Sequence, residues 1–372
     1  MLIFMVSLAL LLAACSGNND DPPDIRDDTT PEAAETMTTA PIEPIEELAN
    51  DRTLVSKNEL TNEAADDSAL EPDDPVSEKA PPLVEIVTVP LGQTIDDYLS
   101  KNSFFGTVLV AQGTDIILHK AYGDGYDSGV SNTINTRFNI GSVTKQFTGA
   151  AILQLEAEGK LAVSDTLNKF FPDYDGLENV TVQDLLIMQG GFGDFASTIA
   201  LSGASSKDIE SHIITGWGGK RLAYFSYSNS DYWLLGKIIE QASGMTCEQY
   251  FVEKLFIPAG MANSRFANDW RVAVAYTAGG LVSTAWDLSL WLEAYFCGKL
   301  FDESMLNQIR RGRYNYGWNF RDNSIWWHNG LMGYFNSTVL YDSKSETKII
   351  ILANSGTNTS KALGIIEDVL GS

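Results

Sequence analysis

The chain has 372 residues, with 25 Lys and Arg against 49 Asp and Glu, and a formal net charge of −24. An acidic excess of that size leaves no basic patch for phosphate contacts and excludes a nucleic-acid binder. The charge is uneven: residues 16–85 hold 20 acidic and 4 basic side chains, 9 of the 12 prolines, one glycine and no Phe, Trp or Tyr.

Met1 to Ala14 is apolar apart from Ser7, too short to span a bilayer as a helix and of the length of a signal-peptide apolar region. It ends in Leu12-Ala13-Ala14-Cys15, which resembles the lipobox of bacterial lipoproteins, although no Lys or Arg precedes the apolar run. The resemblance implies a signal peptide over residues 1–15 whose cysteine, Cys15, becomes the lipidated N-terminus. It places the protein in the cell envelope, held to a bacterial membrane by its lipid and facing outside the cytoplasm. Residues 16–85 cannot bury enough apolar surface to offset chain entropy, so they read as an acidic disordered tether. As a flexible coil the tether spans roughly 45 to 50 Å r.m.s..

Residues 86–372 are long enough for one large domain. A short helix is expected around Asp96 to Leu99. Phe105 to Gln112 and Asp115 to Tyr122 read as strands of a hairpin turning at Gly113-Thr114. Ser142 to Glu158 carries Val143, Phe147, Ala151 and Leu155 at helical spacing, and Gly159 stops it. From about 160 to 300 the pattern is mainly helical, with Cys247 and Cys297 in apolar runs that read as two buried free thiols. Strands are expected at Tyr316 to Asn319, Ser324 to His328, Tyr334 to Tyr341 and Lys348 to Asn354, and a closing helix at Ser360 to Leu370. Strands from both ends must share one sheet if neither set is to leave long unpaired edges. The result is an α/β domain interrupted by a helical insertion. His119, His212 and His328 are scattered, so no metal site and no cofactor are expected.

Three short motifs carry chemistry. Ser142-Val143-Thr144-Lys145 opens a helix, where a three-residue step brings Lys145 onto the face of Ser142. A lysine in a dry pocket gives up its proton more readily and can then accept that of the serine. Tyr227-Ser228-Asn229 follows in an aromatic loop; Tyr227 is a second candidate base, and Asn229 offers an amide to substrate and to Lys145. His328-Asn329-Gly330 lies on a strand, where Gly330 permits close backbone approach of a ligand. The amides of Leu331 and Ser142 are the candidate oxyanion hole. Single motifs are weak: Ser345-Glu346-Thr347-Lys348 and Tyr334-Phe335-Asn336 repeat two of the patterns, and the former reads as solvated and incidental.

The order Ser-x-x-Lys, Tyr-x-Asn, His-x-Gly resembles the serine β-lactamase and penicillin-binding protein superfamily, in its class C β-lactamase, D-alanyl-D-alanine carboxypeptidase and related esterase branch. Phe138-Asn139-Ile140-Gly141, Ala278-Gly279-Gly280-Leu281 and Tyr316-Gly317-Trp318 support it. The resemblance implies an antiparallel sheet built from both chain ends, flanked by helices, with a mainly helical inserted subdomain. It implies Ser142 as the acylated nucleophile, Lys145 and Tyr227 as its acid and base, and Asn229, His328, Asn329 and Gly330 as substrate contacts. The expected activity is a serine hydrolase of the D,D-peptidase or esterase kind on small-molecule or peptide substrates, β-lactams among them, acting as a monomer. The alternatives are a non-catalytic or weakly catalytic penicillin-binding or sensing lipoprotein of the same fold, or a weak β-lactamase. Two departures bear on substrate: His328 stands where class C enzymes carry the lysine of Lys-Thr-Gly, and Met188-Gln189-Gly190-Gly191 replaces the His-Thr-Ser-Gly of many relatives.

Overall fold

The computed structural model describes residues 84–371 except 127–128, 196–203, 270–273, 310–311, 322–323, 355 and 357–358. The expected signal peptide, Cys15 and nearly all of the tether lie outside the described residues.

Eleven strands are described: β1 (Ile86–Val87), β2 (Gly106–Gln112), β3 (Asp115–Tyr122), β4 (Phe138–Asn139), β5 (Arg265–Phe266), β6 (Leu281–Ser283), β7 (Tyr314–Asn315), β8 (Trp318–Arg321), β9 (Ile325–Met332), β10 (Phe335–Asp342) and β11 (Thr347–Ala353). Eight of them form one antiparallel sheet in the order β1-β3-β2-β11-β10-β9-β8-β7. The N-terminal hairpin therefore docks directly on the last strand, Gly106 opposite Ala353 and Gln112 opposite Thr347. β11 is buried along its whole length because both faces are covered. Ile349, Ile351 and Ala353 pack under α1 (Leu91–Lys101) and the C-terminal helix (Thr359–Leu370), through Ile95, Leu99, Ala362 and Ile366. Ile350 and Leu352 alternate to the opposite face and join the larger core.

That larger core is centred on α2 (Thr144–Ala157), whose residues from Thr144 to Leu153 are all buried. A helix buried all round has lost its polar stripe, as a central element must. Phe147 stacks on Trp291 with ring centroids 4.1 Å apart. The Thr148 hydroxyl donates to Thr277 O at 2.7 Å, which satisfies a polar group that water cannot reach.

The region read as helical also holds strands. β4, β6 and β5 make a second, three-stranded sheet, and Ile140 N donates to Leu281 O at 3.0 Å beside it. These strands are two or three residues long, too short to show an alternating pattern, and β4 pairs with β6 across more than 100 residues of chain. Cys297 corrects a second expectation: it is exposed just past the end of the helix Ala285–Phe296, whereas Cys247 is buried, and neither is in a disulfide.

Candidate active site

Ser142 sits in a tight 3-10 turn, Gly141–Val143, that feeds α2. Gly141 has φ +51°, and a Cβ there would stand 2.8 Å from Leu331 N and 2.9 Å from Leu331 O. Only glycine permits both the left-handed turn and this approach to β9. The turn thereby presents Ser142 beside the strand that carries His328 to Met332.

Lys145 lies one turn along and is wholly buried. Its Nζ is 3.1 Å from Ser142 Oγ, 2.8 Å from Asn229 Oδ1 and 2.6 Å from Ala278 O. The same nitrogen stands 4.9 Å from the centre of the Tyr227 ring and 5.8 Å from that of Tyr232. Two sequence motifs that are 84 residues apart thus meet on one amine.

Asn229 opens α3 (Asn229–Ser243), two residues before the helix that the sequence pattern suggests over Asp231 to Ala242, and Ser228 caps it by accepting from Asp231 N at 3.0 Å. The far end of the Asn229 amide donates to Asp194 Oδ2 at 2.9 Å. Asp231 is buried beneath the altered wall of the cleft: its carboxylate accepts from Gly190 N at 3.1 Å and from the Ser228 hydroxyl at 2.9 Å. Burial, the dominant cause, pushes that carboxyl up to about 8 despite these bonds. Met188, at φ +56°, starts the wall, and Trp217 Nε1 donates to Gly190 O at 3.1 Å.

His328 is buried, with Nε2 3.0 Å from the Tyr314 hydroxyl and Nδ1 2.5 Å from Asn329 O. A carbonyl can only accept, so Nδ1 carries the proton and Nε2 accepts from Tyr314. Burial first, and the Lys145 charge second, hold the imidazole down to about 3, so it is neutral at physiological pH. The sequence led us to expect His328 to offer a hydrogen bond to a ligand; instead both nitrogens are engaged within the protein. Gly330 departs similarly. The backbone that approaches it is the chain's own, since a Cβ on Gly330 would lie 2.0 Å from Ile140 O. Asn329 is exposed. β8 pairs with β9 only from Ile325 to Trp327, so among the described residues no strand covers that edge of β9 from His328 to Met332.

Ser142, Lys145, Tyr227, Asn229, His328 and Leu331 therefore converge on one cleft, with Asn329 on its rim and Gly330 packed beneath it. Asp194, Asp231, Tyr314 and the Ala278 carbonyl were not foreseen. Ser228-x-x-Asp231 carries the signature of a helix N-terminus and could have been read as such. The other three have no local signal.

The beta-lactamase family model matches residues 91–369. A Bacillus subtilis (strain 168) protein provisionally named a penicillin-binding protein, PbpX, is 27% identical over 303 residues, which cover 74% of this chain and 76% of that protein. The teichoic acid D-alanine hydrolase of Staphylococcus aureus (strain MRSA252) is 25% identical over 317 residues, 76% of this chain and 78% of its own. Among solved structures, D-amino acid amidase from Ochrobactrum anthropi SV3 superposes with a TM-score of 0.67 at 19% identity, over 76% of this chain and 99% of the amidase, and so shares the fold.

Proposed function

Because the chain belongs to the beta-lactamase family, we propose that it is a serine hydrolase working through an acyl-enzyme on Ser142, with D,D-peptidase-like or esterase activity. Its substrates are amides or esters of the cell envelope. The observation that carries the reading is the 3.1 Å contact between a fully buried lysine amine and Ser142 Oγ. In the first step Ser142 Oγ attacks the acyl carbon and its proton passes to Lys145 or to ionised Tyr227. The C–O or C–N bond then breaks and the leaving atom takes that proton. Water next attacks the acyl-serine, gives a proton to the same base, and releases the acid with Ser142 restored. The amides of Ser142 and Leu331 are assigned to the oxyanion.

Two points favour D-aminoacyl esters and amides over β-lactams. The neutral, internally bonded His328 supplies no fixed cation for a carboxylate. Relatives named for teichoic acid D-alanine hydrolysis and for D-amino acid amidase action support the same class. Labelling the protein with a fluorophosphonate and with a fluorescent penicillin tests this: a Ser142-dependent adduct with the first and a weak one with the second is expected. No adduct with either reagent, judged against Ser142→Ala, would sink the reading. Anchoring through Cys15 and spacing by residues 16–85 complete the proposal. Globomycin should block maturation of the precursor; a mature chain cut elsewhere than before Cys15 refutes the anchor.

A further inference from the structure

We infer that Asp194 is a positioning residue: it sets which end of the Asn229 amide faces Lys145, and through it aims the lysine's lone pair at Ser142. The inference rests on the Ser142 hydrolase reading above.

An amide has a donor end and an acceptor end of nearly equal size, and packing alone distinguishes them poorly. An ionised carboxylate can only accept. With Asp194 Oδ2 at 2.9 Å, the Asn229 NH2 group must face it, and this turns Oδ1 toward Lys145 at 2.8 Å. The Ala278 carbonyl, 2.6 Å from the same amine, also only accepts. Once Lys145 has given up a proton to serve as base, its amine has two N–H groups and one lone pair. Two carbonyl oxygens take the two hydrogens, so the lone pair falls on the side of Ser142 Oγ, 3.1 Å away. A reversed amide would point an N–H at that lone pair, and the serine would lose its base.

Asp194 is held for this task on both sides. Gly193 O accepts from the Ser230 hydroxyl at 2.5 Å and Phe195 N donates to Ser230 Oγ at 3.0 Å, so one buried serine of α3 straps the two neighbours of Asp194 to the helix that begins with Asn229. Asn229 itself is 3% exposed, so solvent cannot relieve a misdirected amide.

A double-mutant cycle on the full chain tests the assignment, with the second-order rate of fluorophosphonate modification of Ser142 as readout. Asp194→Ala should slow modification by roughly tenfold or more in the parent, the scale of a lost charge-assisted hydrogen bond. In an Asn229→Ala background the same change should cost less than about twofold, because no amide remains to orient. Asp194→Asn presents a donor as readily as an acceptor and should recover little of the loss. Equal losses in both backgrounds, or full recovery with Asn, overturn the positioning role alone. No Ser142 adduct in the parent chain overturns the hydrolase reading along with it.

Discussion

The chain contains Ser-x-x-Lys twice, and the two copies have opposite fates. Ser142 and Lys145 straddle the start of α2, where the three-residue step returns the lysine amine to within 3.1 Å of the serine oxygen. Ser345 lies in the turn before β11 and donates to Asp342 Oδ2 at 2.6 Å, while Lys348 runs into the strand and donates to Gly113 O at 3.2 Å. We expected the second copy to be solvated, but Lys348 is only 6% exposed and also stands 3.8 Å from Glu293. Burial therefore does not separate the two lysines. Backbone conformation does, because an extended strand sends residues three apart to different places while a helix stacks them. Tyr-x-Asn divides likewise: Tyr227 and Asn229 both reach Lys145, whereas Tyr334 is 60% exposed at the β9–β10 turn, with its ring 5.8 Å from that of Tyr126.

Substitution at the first lysine should give the largest effect. Lys145→Met keeps the length of the side chain and removes the base, and Ser142 modification by fluorophosphonate should slow by roughly 10³-fold, within the range for a general base. Rates within tenfold of the parent would mean that Tyr227 alone serves as base and that the lysine contact is structural.

A second expectation separates buried ionisable groups that have hydrogen-bond partners from one that has none among the described residues. His119 on β3 is wholly buried, stacks on Trp286 at 6.0 Å, and among the described residues neither ring nitrogen has a hydrogen-bond partner. Burial lowers it from 6.5 to about 4. A group whose folded pKa lies below its unfolded one binds its proton less readily when folded, so stability drops as pH falls from about 6.5 to about 4 and is level on either side. The loss is on the order of 3 kcal/mol. Urea melts of His119→Leu should lack this share of the acid limb and show higher stability at pH 5. An acid limb unchanged by the substitution would assign it to His328 instead.

The smallest effect is reserved for the second Ser-x-x-Lys. Lys348→Met should change the rate of Ser142 modification by less than about twofold, since the Lys348 amine donates to Gly113 O and stands beside Glu293 at the other end of the sheet. A larger change would show that the sheet end opposite the cleft is coupled to the nucleophile, and the contrast between the two copies would fail.

Much of the fold was legible because its signals are local. The β2–β3 hairpin follows from Gly113 at φ +55°, and the end of α2 from Gly159 at φ +69°. The union of N- and C-terminal strands follows from the need to pair edges, and β2 against β11 meets it. The β4-β6-β5 sheet was not legible, since two-residue strands carry no periodicity. Among the site residues, Ser142 and Lys145 were readable as one helical step, but the internal bonding of His328 was not. Its partner Tyr314 is 14 residues away on a strand that the sequence pattern did not suggest.

The sequence by itself determined that a serine and a lysine share one helical face, that an aromatic loop precedes a helix, and that the acidic excess is concentrated before residue 86. Each of these is a matter of neighbours within a turn or of composition. Only the tertiary structure decided which copy of each motif is joined to the others, which end of the Asn229 amide faces the lysine, and that the imidazole at position 328 is neutral. Those outcomes depend on groups brought together across 14 to 84 residues and then stripped of water. Desolvation makes every donor and acceptor find a specific partner, and spacing along the chain does not say which.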